Sequence, residues 1–229
     1  MESTLHRQLK QLYGGVAEDL EVSVDGFRID AVVRGRLIEI QQASLSALRD
    51  KVRSLLERHR VTVVKPLASR KYLIRRERAG GDIISARFSP TRETVFHLFE
   101  DLVHFVGVFP HPRLTLEVVL TEQEEHRISR VRRRFRGPDF RVEDRRLVEV
   151  VSTQTLRTAA DLRSLLPPTL LTPFTTSDLA QQANIPRWLA QKMAYCLRKT
   201  GAIEQLGKQG RSWLYGIPRS ARRKPRRAA

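Results

Sequence analysis

The sequence predicts an α/β domain with a mixed sheet flanked by helices, followed by a small α+β domain. Two observations carry this prediction. Strand and helix patterns alternate over residues 1–120, which is typical of a sheet covered by helices. The last sixty residues follow a different order, two helices and then a β-hairpin. With 229 residues, the chain is long enough for two domains that each bury a core.

The first predicted element is a helix over residues 2–13, with Leu5, Leu9 and Leu12 as its buried stripe. Glu2 shares this face one turn earlier. An acid in the first turn of a helix is favoured by the helix dipole, which would explain Glu2 without any role in chemistry. Gly14-Gly15 ends the helix.

After a strand at 20–24, the stretch 27–41 predicts a β-hairpin. Its two strands, 27–33 and 36–41, meet at Arg34-Gly35, and a two-residue turn with glycine suits a twisted hairpin. Pairing back from this turn places Asp30 directly opposite Glu39. Because side chains alternate along a strand, both acids lie on the face opposite the apolar one.

Two carboxylates opposite each other lie about 5 Å apart and repel. A divalent cation between Asp30 and Glu39 would turn that repulsion into affinity, because hard cations prefer carboxylate oxygens. The alternative is a solvated polar face on which Arg28, Arg34 and Arg36 weaken the repulsion. The spacing leaves both interpretations open.

A helix is predicted over 44–60, followed by a strand at 61–66. Lys51 falls inside the apolar arc of this helix. Its ammonium either reaches solvent along its own stem or is held near the carboxylates of the hairpin, where it would have a partner.

The rest of the first domain is predicted as strands at 72–76 and 83–88, a helix at 91–109 and a closing strand at 114–120. The predicted domain is therefore 1–120, and residues 121–166 are predicted to be a basic connector. Charge supports the division: residues 1–120 carry a net charge of +4, whereas 121–229 carry +13.

Such a basic half indicates a polyanion, most simply nucleic acid. Within 126–137, six arginines surround Phe135 without an intervening acid, and arginine suits phosphate contacts. The candidate contacts in this run are Arg132, Arg133, Arg134 and Arg136. Binding to a membrane surface is disfavoured, because no basic amphipathic helix carries an aromatic-rich apolar face.

Residues 167–217 predict helices at 177–183 and 187–200 and a hairpin of strands 202–205 and 212–217. This is the order of a winged helix-turn-helix, whose second helix enters the major groove of DNA. The residues that the second helix would present are Arg187, Trp188, Gln191, Lys192, Tyr195 and Arg198, and those of the wing are Lys208, Gln209 and Arg211. Such a module also binds proteins, but its basic face and the predicted disordered basic tail, 218–229, favour DNA.

Asp30 followed by Glu39-x-Gln41 on a hairpin, and then by a helix, resembles the PD-(D/E)xK restriction-endonuclease-like nucleases. The likeness covers roughly residues 1–66. The whole chain also resembles a bacterial protein type that couples such a domain to a C-terminal winged helix. Ile29 stands where the motif has proline, and Gln41 where it has lysine.

The resemblance implies a metal-dependent DNA endonuclease using Mg²⁺ or Mn²⁺. Asp30 and Glu39 would hold the metal together with the backbone carbonyl of Ile40. Glu2 would match a further acid on the first helix of a junction-resolvase-like subset. Lys51, assisted by Gln41, would replace the missing lysine of the motif.

DNA is therefore the expected partner, and a homodimer is compatible with this activity because cutting both strands needs two sites. A catalytically inactive DNA-binding protein or regulator is the alternative, with protein docking by the C-terminal module as a third interpretation. The single cysteine, Cys196, fits a reducing cytoplasm. The most apolar stretch, 102–109, is too short to span a bilayer, so no membrane association is expected.

Overall fold

A computed structural model describes residues 2–15, 19–130 and 138–218. The chain divides into two compact units, residues 1–158 and 159–229. The first is an α/β unit built on a seven-stranded mixed sheet flanked by helices. The predicted α/β class with a mixed sheet is therefore confirmed. The boundary lies about forty residues beyond the predicted end of the first domain, and the reason is the length of the last two strands.

The elements of the first unit follow in chain order and include short 3-10 turns at Leu45–Leu48 and Val95–His97. Its helices are α1 (Thr4–Gly14), α2 (Arg49–Leu55) and α3 (Leu98–Leu102). Its strands are β1 (Leu20–Val24), β2 (Phe27–Val33), β3 (Arg36–Ile40), β4 (Arg60–Arg76), β5 (Ile83–Phe88), β6 (Leu114–Ser129) and β7 (Phe140–Leu156).

The sheet order is β1-β2-β3-β4-β6-β7, and β5 pairs with the far half of β4. Strands β3, β4 and β6 are parallel to one another, while the other pairs are antiparallel. The predicted separate strands at 61–66 and 72–76 are one continuous strand, β4. Parallel neighbours on both sides of its first half make β4 the centre of the sheet.

The prediction that residues 121–166 form a connector is wrong for most of that range, because 121–129 and 140–156 belong to strands of the sheet. Residues up to Ser129 continue β6, and β7 pairs antiparallel with it from Phe140 to Leu156. Polar side chains can line a buried strand when partners across the sheet satisfy them. Glu125 shows this: its buried carboxylate lies 3.0 Å from Nε of Arg145 on the neighbouring strand β7, and 2.6 Å from Nη2 of Arg127 on its own strand.

Helix α1 packs against one face of the sheet. Leu5 and Leu9 are fully buried there in a cluster with Ala31, Ile38 and other strand residues. Burying each leucine contributes about 1.5–3 kcal/mol relative to exposure. Leu12, predicted to complete the stripe, is 60% exposed, so the buried face of α1 is narrower than predicted.

The second unit contains α4 (Ala159–Arg163), α5 (Thr176–Gln182), α6 (Arg187–Lys199) and the hairpin β8 (Glu204–Gln209) with β9 (Ser212–Gly216). The predicted order of two helices and a hairpin is present. The Thr175 hydroxyl and the Asp178 carboxylate cap α5 reciprocally, as the sequence predicts for a capping box.

Helix α6 buries the apolar side of the second unit. Leu189, Met193, Cys196 and Leu197 are all buried. Burial raises the pKa of the Cys196 thiol to about 12, so this thiol stays protonated at neutral pH. Its role is to pack in the core, and the opposite side of α6 is left to polar and aromatic residues.

Candidate nuclease-like site and nucleic-acid-binding face

The hairpin of β2 and β3 has the predicted register. Ala31 pairs with Ile38 and Val33 with Arg36, so the next positions along the strands are Asp30 and Glu39. At the turn, Arg34 and Gly35 adopt left-handed φ angles of 50° and 72°, as the favoured two-residue hairpin turn requires. The two acids therefore lie on neighbouring strands.

Asp30 is held by a backbone group and by a histidine. Its Oδ2 accepts a hydrogen bond from the Ile40 backbone N–H at 2.8 Å, and its Oδ1 lies 3.0 Å from His6 Nε2. Burial alone would raise the pKa of this carboxyl, but the contacts with His6 and Ile40 outweigh it and hold the pKa below its usual value. Asp30 is therefore a carboxylate at neutral pH.

Glu39 is 4% exposed and contacts Lys51. Lys51 Nζ lies 2.6 Å from Glu39 Oε1 and donates a hydrogen bond to the Arg28 carbonyl. The contact with Glu39 is an ion pair without hydrogen-bond alignment, so the buried Oε1 has no aligned donor among the described residues. The Lys51 ammonium is therefore held by a carboxylate of the hairpin and does not extend into solvent.

Burial raises the pKa of Glu39, and the charge on Asp30 acts in the same direction, while Lys51 acts against both. The strand register puts the two acids at adjacent positions on β2 and β3, which is consistent with this influence of Asp30. The two acids therefore differ: Asp30 ionises more readily than an ordinary aspartate, and Glu39 less readily than an ordinary glutamate.

Glu39→Gln is expected to stabilise the protein at neutral pH, because glutamine resembles the protonated glutamate that burial favours. With its folded-state pKa raised, wild-type Glu39 lowers the free energy of unfolding progressively as pH rises from the unfolded-state pKa through the folded-state pKa. The Tm difference between variant and wild type should therefore grow as pH rises above about 4, where an ordinary glutamate ionises. A gain of about 1 kcal/mol would raise Tm by roughly 2–4 °C. A lower Tm for the variant at pH 7 would show instead that the ion pair outweighs the burial of the charge.

Glu2, His6 and Lys10 of the N-terminal segment lie close together, and His6 contacts Asp30. Of these three, only Glu2 was predicted as a site residue. Glu2 precedes the N-cap, Ser3, so it is not in the first turn and the helix-dipole explanation does not apply. Its Oε1 lies 2.6 Å from Lys10 Nζ and 3.7 Å from His6 Nε2. Lys10 is 4% exposed and also pairs with Glu21 at 2.6 Å.

An open cleft of about 760 Å³ lies over this region. Among the predicted site residues, its lining includes Glu2, Asp30, Ile40 and Gln41. The Gln41 amide nitrogen donates to the Ser44 carbonyl at 2.7 Å, which fixes the side chain in the loop after β3. Glu39 and Lys51 are not part of the lining. Among the described residues, no group of three or more His, Cys, Asp or Glu side chains is placed to hold one metal ion.

A second set of predicted residues lies together in the second unit. A groove of about 270 Å³ between α6 and the hairpin β8–β9 has five of them in its lining: Arg187, Gln191, Tyr195, Arg198 and Arg211. The other predicted residues of α6, Trp188 and Lys192, contact each other beside it. The predicted arginines Arg132, Arg133, Arg134 and Arg136, and the tail from residue 219 onwards, lie outside the described residues.

No helix in the described ranges has the length and apolarity needed to cross a membrane. The chain is similar to a protein of Treponema pallidum (strain Nichols) that bears the name "Uncharacterized protein". The two are 30% identical over 215 residues, which cover 93% of this chain and 84% of the relative. No solved structure matches the chain significantly.

A protein-family model matches residues 3–157, which corresponds to the first compact unit and leaves the second unit outside the match. The match spans more than half of the chain. The protein therefore belongs to the family described as "Domain of unknown function (DUF8091)".

Proposed function

We propose that the protein is a metal-dependent DNA endonuclease that hydrolyses phosphodiester bonds. In this proposal the first unit is a restriction-endonuclease-like domain, and the second is a winged helix that holds DNA. The observation that carries it is the hairpin of β2 and β3. It sets Asp30 beside Glu39 on neighbouring strands, and a lysine from the following helix contacts Glu39 at 2.6 Å.

The residues present fit a magnesium or manganese ion held by few protein ligands. Mg²⁺ is usually bound through one or two carboxylates, with water and substrate phosphate oxygens completing its shell. Asp30 and Glu39 supply two carboxylates at adjacent positions on neighbouring strands, and Glu39 Oε1 is a buried acceptor for which the described residues supply no aligned donor. The Ile40 carbonyl would be a further ligand. When bound, such an ion polarises a phosphate and lowers the pKa of water.

The chain's own groups supply the rest of the proposed chemistry. The Lys51 ammonium is suited to stabilise charge that develops on the phosphoryl oxygens, because it is held close to the site by Glu39 and the Arg28 carbonyl. Gln41 would assist in positioning the attacking water from the lining of the cleft. Glu2 and His6 would support the Asp30 side of the site through their contacts.

The second unit supports the winged-helix part of the proposal. Phe174, in the segment between α4 and α5, forms an antiparallel bridge with Tyr215 of β9. Within its described residues, the unit thus has a helix, an isolated β-bridge, two further helices and a hairpin, which is the order of elements in a winged helix. The groove between α6 and the hairpin carries three arginines, and α6 contains no acid. This charge suits a DNA backbone.

The test is cleavage of supercoiled plasmid by purified protein with Mg²⁺ or Mn²⁺, beside the variants Asp30→Ala and Glu39→Ala. Wild type should nick the plasmid, chelation of the metal should stop cleavage, and either substitution should abolish it. Near-native Tm values would show that the variants are folded. Equal nicking by all three proteins would mean a contaminating nuclease and would contradict this site.

A non-catalytic DNA-binding protein is the second candidate, and the protein contacts that the two acids already make favour it. Glu39 and Asp30 already have protein partners in Lys51 and His6, and Gln41 stands where related nucleases have lysine. This candidate predicts DNA binding that is unaffected by chelators, without cleavage under either divalent ion.

A further inference from the structure

The exposed face of the second unit carries large aromatic side chains. Trp188 and Tyr195 on α6 are 46% and 38% exposed, and Trp213 on β9 is 44% exposed. The chain has only two tryptophans, and both are exposed in the second unit. Large aromatic side chains are usually buried in a core, because burial removes their apolar surface from water. Several exposed rings on one small domain therefore indicate a binding surface.

A lysine ammonium lies over each of these rings. Lys208 Nζ is 4.4 Å from the centroid of the Trp213 ring, and Lys192 Nζ is 5.2 Å from that of Trp188. The third pair is Lys199 over Tyr195 at 5.9 Å. These distances are within the range of cation–π attraction. Each aromatic surface is therefore accompanied by a positive charge within reach of a ligand on the ring.

Rings beside cations suit unpaired nucleotides. A nucleobase offers a flat face for stacking, and the phosphate attached to it offers an anion for the lysine. Inside a continuous duplex both faces of every base are covered by neighbouring base pairs, so an aromatic side chain finds a face only at an end or in a single strand. Phosphate contacts alone would require the cations but not the rings.

Trp213 is placed near the tip of the hairpin. It pairs across the hairpin with Lys208, one residue pair from the turn at Gly210-Arg211. Arg211 and Trp213 also line the groove that contains Arg187 and Arg198 of α6. The groove thus presents arginines suited to a backbone and, at the hairpin, a ring suited to a base.

We propose that the α6–hairpin face binds DNA that has a single-stranded tail next to a duplex, with Trp213 stacked on an unpaired base. This inference rests on the DNA binding of the proposed function and names the class of DNA bound. The arginines of the groove contact the duplex backbone, and Lys208 contacts the phosphate of the stacked nucleotide.

The two tryptophans give a direct test in the full-length protein. Trp188→Phe leaves Trp213 as the sole tryptophan, and Trp213→Phe leaves Trp188. Each is titrated with a blunt duplex and with a duplex carrying a dT tail of about ten nucleotides, matched in total phosphate number. The tailed duplex is expected to bind roughly tenfold tighter or more, and to quench the emission of Trp213 in Trp188→Phe.

Two further variants test whether the preference for a tail comes from stacking on Trp213. One tests apolar contact as the cause, and the other tests the loss of any exposed ring beside a cation. Trp213→Leu keeps an apolar side chain but removes the aromatic face, and it should lose most of the preference for the tail. Phe88→Ala is the matched control, because Phe88 in the first unit is 48% exposed and also carries a cation, Arg70, over its ring. This control should retain the preference.

The outcomes distinguish the two proposals. Equal affinity for blunt and tailed duplexes, without quenching of Trp213, would overturn the inference while leaving DNA binding intact. Failure of folded protein to bind either DNA at low salt would overturn both this inference and the proposed function.

Discussion

Replacing Lys51 with methionine is expected to lower the rate of DNA cleavage by roughly 100- to 1000-fold at saturating DNA. In the proposed site, the Lys51 ammonium contacts Glu39 and stabilises charge on the phosphoryl oxygens. Removing one such preorganised positive group acts on the transition state more than on the bound ground state. DNA affinity, measured by fluorescence anisotropy, should therefore change little while cleavage under single-turnover conditions falls.

The same variant has a consequence for pH. The Lys51 ammonium opposes the rise in the pKa of Glu39 that burial causes, so removing it raises that pKa further. Because the proposed site needs ionised Glu39, the pH–rate profile of the variant should shift to higher pH. An unchanged profile with unchanged activity would contradict both the role of Lys51 and its influence on Glu39.

Arg53→Met is the matched control for this prediction. Arg53 is on the same helix, α2, and also pairs with an acid, since its Nη1 lies 3.0 Å from Asp50 Oδ1. This pair is exposed, whereas Glu39 is buried. Arg53→Met removes one positive charge from α2 but should leave cleavage within a few-fold of wild type. An equal loss in both variants would indicate an effect of net charge on α2.

The triple variant Arg187→Ala, Arg198→Ala, Arg211→Ala is expected to weaken duplex DNA binding by roughly ten- to hundredfold at moderate salt. All three arginines line the groove between α6 and the hairpin. Removing each phosphate-binding arginine should also reduce the slope of log affinity against log salt by about 0.9, so the slope should become shallower by about 3. Titrations between about 50 mM and 200 mM salt measure this slope.

A control with the same net charge replaces three exposed arginines of the first unit, Arg58, Arg78 and Arg92, by alanine. If the α6–hairpin groove is the DNA site, this control should keep nearly the full affinity and salt slope. Equal weakening by both triple variants would show that affinity follows the overall charge of the chain, and the groove would lose its assigned role.

The hairpin that carries Asp30 and Glu39 could be predicted from the sequence, because its information is local. Alternation along each strand and the glycine at the turn determine both the pairing and the face of each side chain. The capping box of Thr175 and Asp178 was predictable for the same reason. In both cases, the partners are close neighbours along the chain.

The N-terminal half of the site was predicted only in part. Lys10 was not identified, because a lysine in an amphipathic helix normally faces solvent. In the structure, Lys10 is buried between Glu2 and Glu21. Glu21 lies on β1, so this partner of Lys10 cannot be inferred from the pattern of the helix alone. The spacing of Glu2, His6 and Lys10 by four residues was the available signal, since it would place all three on one side of the helix predicted over residues 2–13.

Strands were predicted at 114–120 and 147–153, but the full length of β6 and β7 was not, for a related reason. Their inward side chains include Gln123 and Glu125, which a sequence pattern assigns to solvent. The Gln123 amide donates to the Thr121 hydroxyl of the same strand, and this hydroxyl donates to the Leu67 carbonyl of β4. Arg145 on β7 pairs with Glu125. The contacts with β4 and β7 offset the cost of burial only after the strands have paired, so hydropathy along one strand does not reveal them.

The parallel ladder between β4 and β6 has a consequence for how fast the first unit folds. It joins residues such as Val61 and Leu114, or Arg76 and Ile128, which are more than fifty positions apart. Closing such large loops precedes any gain from the ladder, so these contacts form slowly, whereas an isolated hairpin such as β2–β3 closes within about 1–10 μs. We therefore expect the two acids to come together early, and the strands that complete the sheet around them to assemble last.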